Sequence, residues 1–271
     1  MPELPEVENT RRYLIDSCVE GVQIISATVT WGNSVKHPQL EDFILDIRGE
    51  IIQSVGRRGK YILLTLTSGR ILVLHLGMTG GIRVQNRNQK YPDMLRHFFD
   101  LHDSRQIRFI DPRKFGHIWL VDDFQQVSDR MGPEPLERIF TTEALRNIVR
   151  ARRIPIKALL LDQTAIAGIG NLYADEALFL SGIYPGTIAA DLNDSEVEIL
   201  HTSIISTLEH SINLYDVDRK TLWPEPSFVL RNWSMTRVMG GPCIKCQAPM
   251  NMLKVRGRSS YYCPQCQLNM Y

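Results

Sequence analysis

Pro2 stands behind the initiator methionine with Glu3 beside it. Removing Met1 would turn the Pro2 nitrogen into a terminal secondary amine, a group that attacks an aldehyde-like carbon to give an imine, as lysine does in Schiff-base chemistry. With a usual α-amino pKa of about 7.8, roughly 14% of such an amine is neutral at pH 7, against about 0.04% of a lysine at 10.4. These residues equally suit an ordinary helix start, with Pro2 or Pro5 in the first turn and Glu6 and Glu8 favoured by the helix dipole. The pair therefore needs context from elsewhere in the chain.

Four cysteines near the other end supply a second chemistry. Cys243-x2-Cys246-x16-Cys263-x2-Cys266 has the spacing of two metal-binding knuckles on a hairpin. Four thiolates close a tetrahedral zinc site and leave no position for a water, so the ion is expected to be structural. It would hold Lys254, Arg256 and Arg258 on a small rigid hairpin without a core of its own. Cys18 is most simply a buried small hydrophobe.

Other stretches suit a polyanion. Gly168-Ile169-Gly170-Asn171 falls between helical segments, where glycines bring backbone N–H groups close to a phosphate and Asn171 adds an amide; a plain interhelical turn fits the same residues. Arg57, Arg58 and Lys60 crowd a turn before a strand, either as phosphate contacts or as a solvated hairpin tip. Leu76-Gly77-Met78-Thr79-Gly80 and Asp111-Pro112-Arg113-Lys114-Phe115-Gly116 set large side chains among turn formers. There Met78, Arg113 and Phe115 would either open a base stack as a wedge or pack as a satellite core. The formal net charge is only +1, but the positive charge is clustered. Arg146 to Lys157 holds five basic residues and no acid, and Arg231 to Tyr271 holds six and none, a distribution that favours a polyanion footprint.

The elements that must carry these groups follow from the patterning. A helix is expected from Glu3 to Ser17. Short β-rich runs follow at 24–31, 51–55, 61–67, 71–76, 97–101, 107–110 and 117–121, separated by turn residues, the texture of an antiparallel sandwich or barrel. From Pro133 the periodicity becomes helical, with Thr141 capping one helix and Asn193 or Asp194 another that runs toward Asn213. The length of 271 residues favours more than one domain, and a hydrophobic share of 44% suffices for real cores. Apolar runs such as Ile71 to Leu74 fall far short of a membrane span, and no signal-peptide pattern leads the chain, so a cytoplasmic protein is expected.

Taken in order, Pro2-Glu3-Leu4-Pro5-Glu6-Val7-Glu8, Arg58-Gly59-Lys60-Tyr61, His75 to Gly80, Asp111 to Gly116, Gly132-Pro133-Glu134-Pro135-Leu136, Gly168 to Tyr173 and the four cysteines with Arg258 to Tyr262 resemble the formamidopyrimidine-DNA glycosylases. The resemblance implies an α+β architecture. An N-terminal antiparallel β-sandwich with its helix (1–132) would be followed by a helix-two-turn-helix domain (133–230) and a zinc finger (231–271), with DNA in the cleft between domains. It implies excision of oxidised purines from damaged double-stranded DNA, then strand cleavage at the abasic site by β- and δ-elimination. Pro2 would be the nucleophile at C1′, Glu3 the general acid/base and Glu6 a supporting carboxylate. Lys60, Asn171 and Arg258 would hold phosphates, and Met78, Arg113 and Phe115 would fill the gap left by the flipped base. The expected cofactor is a single structural zinc ion, and the protein would act as a monomer at the nucleoid.

The stretch from Asn213 to Pro226 departs from that family, which usually carries a glycine-hinged loop there. Tyr215 and Trp223 could offer a stacking surface, while Pro224 and Pro226 stiffen the backbone; packing against the preceding helix is the other reading. Two rivals remain at this level: an endonuclease VIII-like glycosylase for oxidised pyrimidines, and a non-catalytic zinc-ribbon protein that binds damaged or abasic DNA.

Overall fold

The computed structural model describes residues 1–217, 222 and 233–268. The chain forms two compact units, one of residues 1–130 with 214–226 and one of 131–213 with 227–271.

In the first unit, helix α1 (Leu4–Asp16) starts at Glu3, whose extended backbone and side chain form a capping box with Glu6, and Pro5 sits in the first turn where its missing N–H costs nothing. Its residues Leu4, Val7 and Leu14 are fully buried. Nine strands follow: β1 (Ile24–Val29), β2 (Val35–His37), β3 (Ile52–Arg58), β4 (Tyr61–Leu66), β5 (Ile71–His75), β6 (Gly81–Asn86), β7 (Leu95–Leu101), β8 (Arg105–Ile110) and β9 (His117–Val121), with helix α2 (Leu40–Asp46) after β2. They make a four-stranded sheet in the order β1-β7-β8-β6 and a five-stranded sheet in the order β2-β9-β5-β4-β3. All pairings are antiparallel except β2 with β9.

Ile24, Phe99, Ile107 and Phe109 of one sheet and Ile52, Ile62, Leu64, Leu72, Leu74 and Ile118 of the other meet in one core, so this is the expected sandwich. Each such side chain stabilises the fold by roughly 1.5–3 kcal/mol. The sequence pattern misses β2, α2 and β6, which are short or, like Gly81-Ile82-Arg83-Val84-Gln85-Asn86, only weakly alternating. Cys18 is not the buried hydrophobe expected: it is exposed and has a positive φ of 49°, in the turn after α1.

In the second unit lie α3 (Thr142–Arg150), α4 (Ile156–Leu160), α5 (Asn171–Ser181), α6 (Asp194–Val217) up to Asn213, and the hairpin β10 (Asn251–Val255) with β11 (Arg258–Tyr262), while the end of α6 from Leu214, with Tyr215, belongs to the first unit. Thr141 caps α3 by accepting from the Ala144 N–H at 3.1 Å. Asn193 and Glu196 exchange bonds at the start of α6, a capping box with an asparagine. The cysteine hairpin shares a small core, Met235, Cys243, Ala248, Met250 and Cys263, with Phe179 of α5. Among the described residues no helix is long and apolar enough to cross a membrane.

Candidate active site and metal centre

The first turn of α1 gathers Pro2, Glu3 and Glu6, all buried, with Glu3 2% and Glu6 4% exposed. The Glu3 N–H donates to Glu6 Oε2 at 2.7 Å, so one carboxylate fixes the peptide that follows Pro2 while the other carboxyl lies beside it.

Tyr215, in the last turns of α6, donates its hydroxyl to Glu6 Oε1 at 3.2 Å. Burial, then the Glu6 carboxylate, pushes its phenol well above the usual range, which keeps it a donor. At 3% exposure Tyr215 offers no stacking surface, because its ring is packed and its hydroxyl is committed. Trp223, Pro224 and Pro226 lie outside the described residues.

Farther along α1, Glu8 accepts from Arg11 at 2.7 Å, Arg12 at 2.9 Å and Arg57 at 3.0 Å. Burial pushes its carboxyl up, but hydrogen bonds from Arg11 and Arg12, with the charges of Arg11 and Arg57, hold it at about 2. Arg57 is thereby an anchor of the helix rather than a cation offered to phosphate. Lys60, 7% exposed, follows Gly59, whose φ of +54° makes the turn into β4. Next to it in charge, His75 is lowered to about 4 by burial and then by His117 and Lys60. Neutral at pH 7, His75 accepts the Gly77 N–H on Nδ1 at 3.3 Å.

That bond leads to the two turns singled out for their large side chains. Gly77 has a φ of +63°, and a Cβ there would meet the Phe115 carbonyl group at 2.4 Å, so only glycine allows the two turns to touch. Asp111, buried, accepts from Thr79 Oγ1 at 2.7 Å, Arg113 N at 3.2 Å and Gly116 N at 2.7 Å. The result is one rigid ledge presenting Met78 half-buried, Arg113 exposed and Phe115 45% exposed, with the Arg113 guanidinium 4.8 Å from the Phe115 ring centroid. Arg113 and Phe115 thus stand exposed on the ledge rather than packed in a core of their own.

In the second unit, Gly170 starts α5 and Asn171 is its first residue. Gln163 braces the glycine turn, donating to Ile169 O at 2.8 Å and accepting from Gly168 N at 2.9 Å. The Asn171 Oδ1 is buried without a hydrogen bond among the described residues.

Several cations of the basic run from Arg146 to Lys157 have acidic partners within the protein, although Arg150 and Arg153 stay exposed. Arg146 and Arg150 pair with Asp194 at 3.0 and 2.7 Å, Arg153 pairs with Asp191 at 3.4 Å, and Lys157 is wholly buried. Lys157 Nζ lies 2.5 Å from Asp175 Oδ1 and donates to Ser259 O at 3.0 Å, while Arg237 binds the other Asp175 oxygen at 3.0 Å. This buried cluster fixes the hairpin strand that begins with the exposed Arg258.

Cys243, Cys246, Cys263 and Cys266 bring their sulfurs within 4.8 Å of one another, with Cys243–Cys266 at 3.9 Å and Cys246–Cys263 at 3.4 Å. A tetrahedral ion with metal–sulfur bonds of about 2.3 Å requires sulfurs about 3.8 Å apart. The four thiols therefore fit a closed metal site, and none is left over to bind anything else.

Comparison with known proteins agrees on one family. Residues 1–118 match the family model described as Formamidopyrimidine-DNA glycosylase N-terminal domain, and residues 131–221 the Formamidopyrimidine-DNA glycosylase H2TH domain. The chain is 39% identical over 276 residues to the formamidopyrimidine-DNA glycosylase of Pelotomaculum thermopropionicum, covering 98% of this chain and 99% of that one. It is 36% identical over 279 residues to the enzyme of Trichormus variabilis, covering 99% and 100%. Among solved structures it is similar to the Lactococcus lactis enzyme bound to DNA containing an abasic site, with a TM-score of 0.86 and 31% identity over 98% of this chain and 100% of that one. A MutM complex with DNA containing carbocyclic 8-oxo-G gives a TM-score of 0.86 and 31% identity, covering 99% and 100%.

Proposed function

This chain belongs to the formamidopyrimidine-DNA glycosylase family, and from that premise we propose that it excises oxidised purines, formamidopyrimidines and 8-oxoguanine, from damaged duplex DNA and then cleaves the abasic strand. The observation that carries this reading is the buried Glu3–Glu6 pair locked around the Pro2–Glu3 peptide.

With Met1 removed, the Pro2 nitrogen attacks C1′ of the damaged nucleoside. The glycosidic bond breaks through an oxocarbenium-like state, and Glu3 supplies the proton that the departing base needs. The proton that the Pro2 nitrogen loses on attack passes to O4′, the sugar ring opens by breakage of the C1′–O4′ bond, and the C1′–N bond to Pro2 becomes an iminium, which acidifies the C2′ protons. Loss of one expels the 3′ phosphate, and a second elimination expels the 5′ phosphate. Glu6, anchored through both oxygens, keeps the nucleophile's peptide in place.

On this reading residues 1–132 carry the chemistry, 133–230 the helix-two-turn-helix and 231–271 the zinc finger. Lys60, Asn171 and Arg258 take phosphates, and the Met78, Arg113 and Phe115 ledge fills the space of the extruded base. Zinc is the ion that a closed four-thiolate site at these separations suits, and its part is to order the hairpin.

Borohydride added during turnover on a duplex with a single 8-oxoguanine tests the proposal. A covalent protein–DNA adduct mapped to Pro2 by mass spectrometry is expected, because reduction fixes an imine that otherwise hydrolyses. Trapping by protein shown to retain Met1 would exclude Pro2 as the nucleophile.

A further inference from the structure

Tyr215 falls in the stretch that departs from the family's glycine-hinged pattern, and it reaches the catalytic turn across 209 residues of sequence. Its hydroxyl donates to Glu6 Oε1 at 3.2 Å, and Glu6 Oε2 accepts the Glu3 N–H at 2.7 Å. Phenol, carboxylate and peptide N–H thus form a continuous chain of donors and acceptors ending on the peptide plane that carries Pro2.

A carboxylate as buried as that of Glu6 needs hydrogen-bond donors on its oxygens, and a charge-assisted bond to each of them leaves it little freedom to turn. The Glu3 N–H can hold the Pro2–Glu3 peptide only as firmly as Glu6 is itself held. We propose that Tyr215 is a positioning residue for base excision: through Glu6 it fixes the Pro2–Glu3 peptide in the orientation from which the nitrogen attacks. The inference rests on the proposed chemistry of Pro2 and Glu3. It predicts a cost in rate and not in binding, since misplacing a reacting group by about 1 Å is enough to slow a reaction by about a hundredfold.

The test is a double-mutant cycle read by single-turnover excision of 8-oxoguanine, with the affinity for the same duplex measured in parallel. Tyr215→Phe keeps the buried ring and removes the hydroxyl. It should slow excision by about tenfold or more, the usual worth of a hydrogen bond to a charged group, with affinity changed by less than about twofold. In a Glu6→Gln background the same change should cost under about twofold, because the amide puts its oxygen at one of the two donors and its NH2 at the other, so the two-point anchor is already broken. Equal losses in both backgrounds, or a Tyr215→Phe protein with unaltered rate or with its loss confined to affinity, would overturn the role of Tyr215 while leaving the proposed function standing. A wild-type chain that neither excises the base nor cuts a preformed abasic site would take both down.

Discussion

The carboxylate of Asp111 accepts the Thr79 hydroxyl at 2.7 Å and so fastens the turn that carries Met78 to the turn that carries Arg113 and Phe115. Arg113 N and Gly116 N bind the same carboxylate at 3.2 and 2.7 Å, and Gly77 lies flat against the Phe115 carbonyl. Insertion of side chains into a base stack needs a rigid ledge, since the energy for unstacking comes from contacts that exist only if the side chains keep their relative places.

Asp111→Ala should therefore destabilise the sandwich by about 2–3 kcal/mol in urea denaturation, because buried donors lose their acceptor. Asp111→Asn, which retains one acceptor oxygen, should fold and still open DNA about tenfold more slowly, read by 2-aminopurine fluorescence beside the lesion. Opening at the wild-type rate by folded Asp111→Asn protein would show that the two turns need no tie.

His75 gives stability a dependence on acid. Its imidazole is lowered from 6.5 to about 4, first by burial and then by His117 and Lys60. A depressed pKa means that the unfolded chain binds the proton first. The contribution is thus present above about 6.5 and is lost as pH falls toward 4, by up to about 3 kcal/mol at 1.36 kcal/mol per pKa unit. Urea midpoints measured from pH 7 to pH 4 should fall, and His75→Gln should flatten part of that slope. An identical slope in the variant would assign the effect to other groups.

The metal site makes a separate claim. About one zinc per chain is expected, and chelation or Cys263→Ser should abolish duplex binding, because the thiolates order a hairpin whose core is small. The Lys157–Asp175–Ser259 cluster also grips that hairpin, so Lys157→Met, which leaves Asp175 to Arg237 and the Tyr261 N–H, should weaken binding with zinc content unchanged. Tight DNA binding by metal-free protein would contradict this account.

What the sequence discloses here is what lies close along the chain. The Pro2-Glu3 start, the Thr141 cap, the glycine turns and the paired cysteines are local patterns, and each can be read without knowing where the chain goes next. Contacts between distant segments leave no such mark. Nothing local tells that Lys157 is wholly buried and bonded 102 residues away, or that Arg150 is matched by Asp194. Arg108 makes the same point: it falls inside the strand run 107–110, where its sequence neighbours name no partner for its charge. Yet it is fully buried, with its guanidinium on Gln85, Gln106 and the carbonyls of Asn86 and Gln89, where it organises the loop after β6. Tyr215 was legible as an aromatic in an unusual place, but its partner was not.

A substitution at Glu3 is expected to separate base removal from strand cleavage. As the N-cap of α1 it accepts the Glu6 N–H, and the carbonyl oxygen of a glutamine can make the same bond, so Glu3→Gln keeps the helix start and nearly all the volume. What it loses is the proton to give to the departing base, a contribution of about a hundred- to ten-thousandfold for a general acid. A preformed abasic duplex has no base to protonate, and its attack by Pro2 needs only the amine and its orientation. Glu3→Gln should therefore bind an 8-oxoguanine duplex like the wild type, fail to excise the base in a single-turnover assay, and still cut the abasic duplex and be trapped on it by borohydride. Full excision by the variant, or equal losses on both substrates, would remove Glu3 from the role of proton donor.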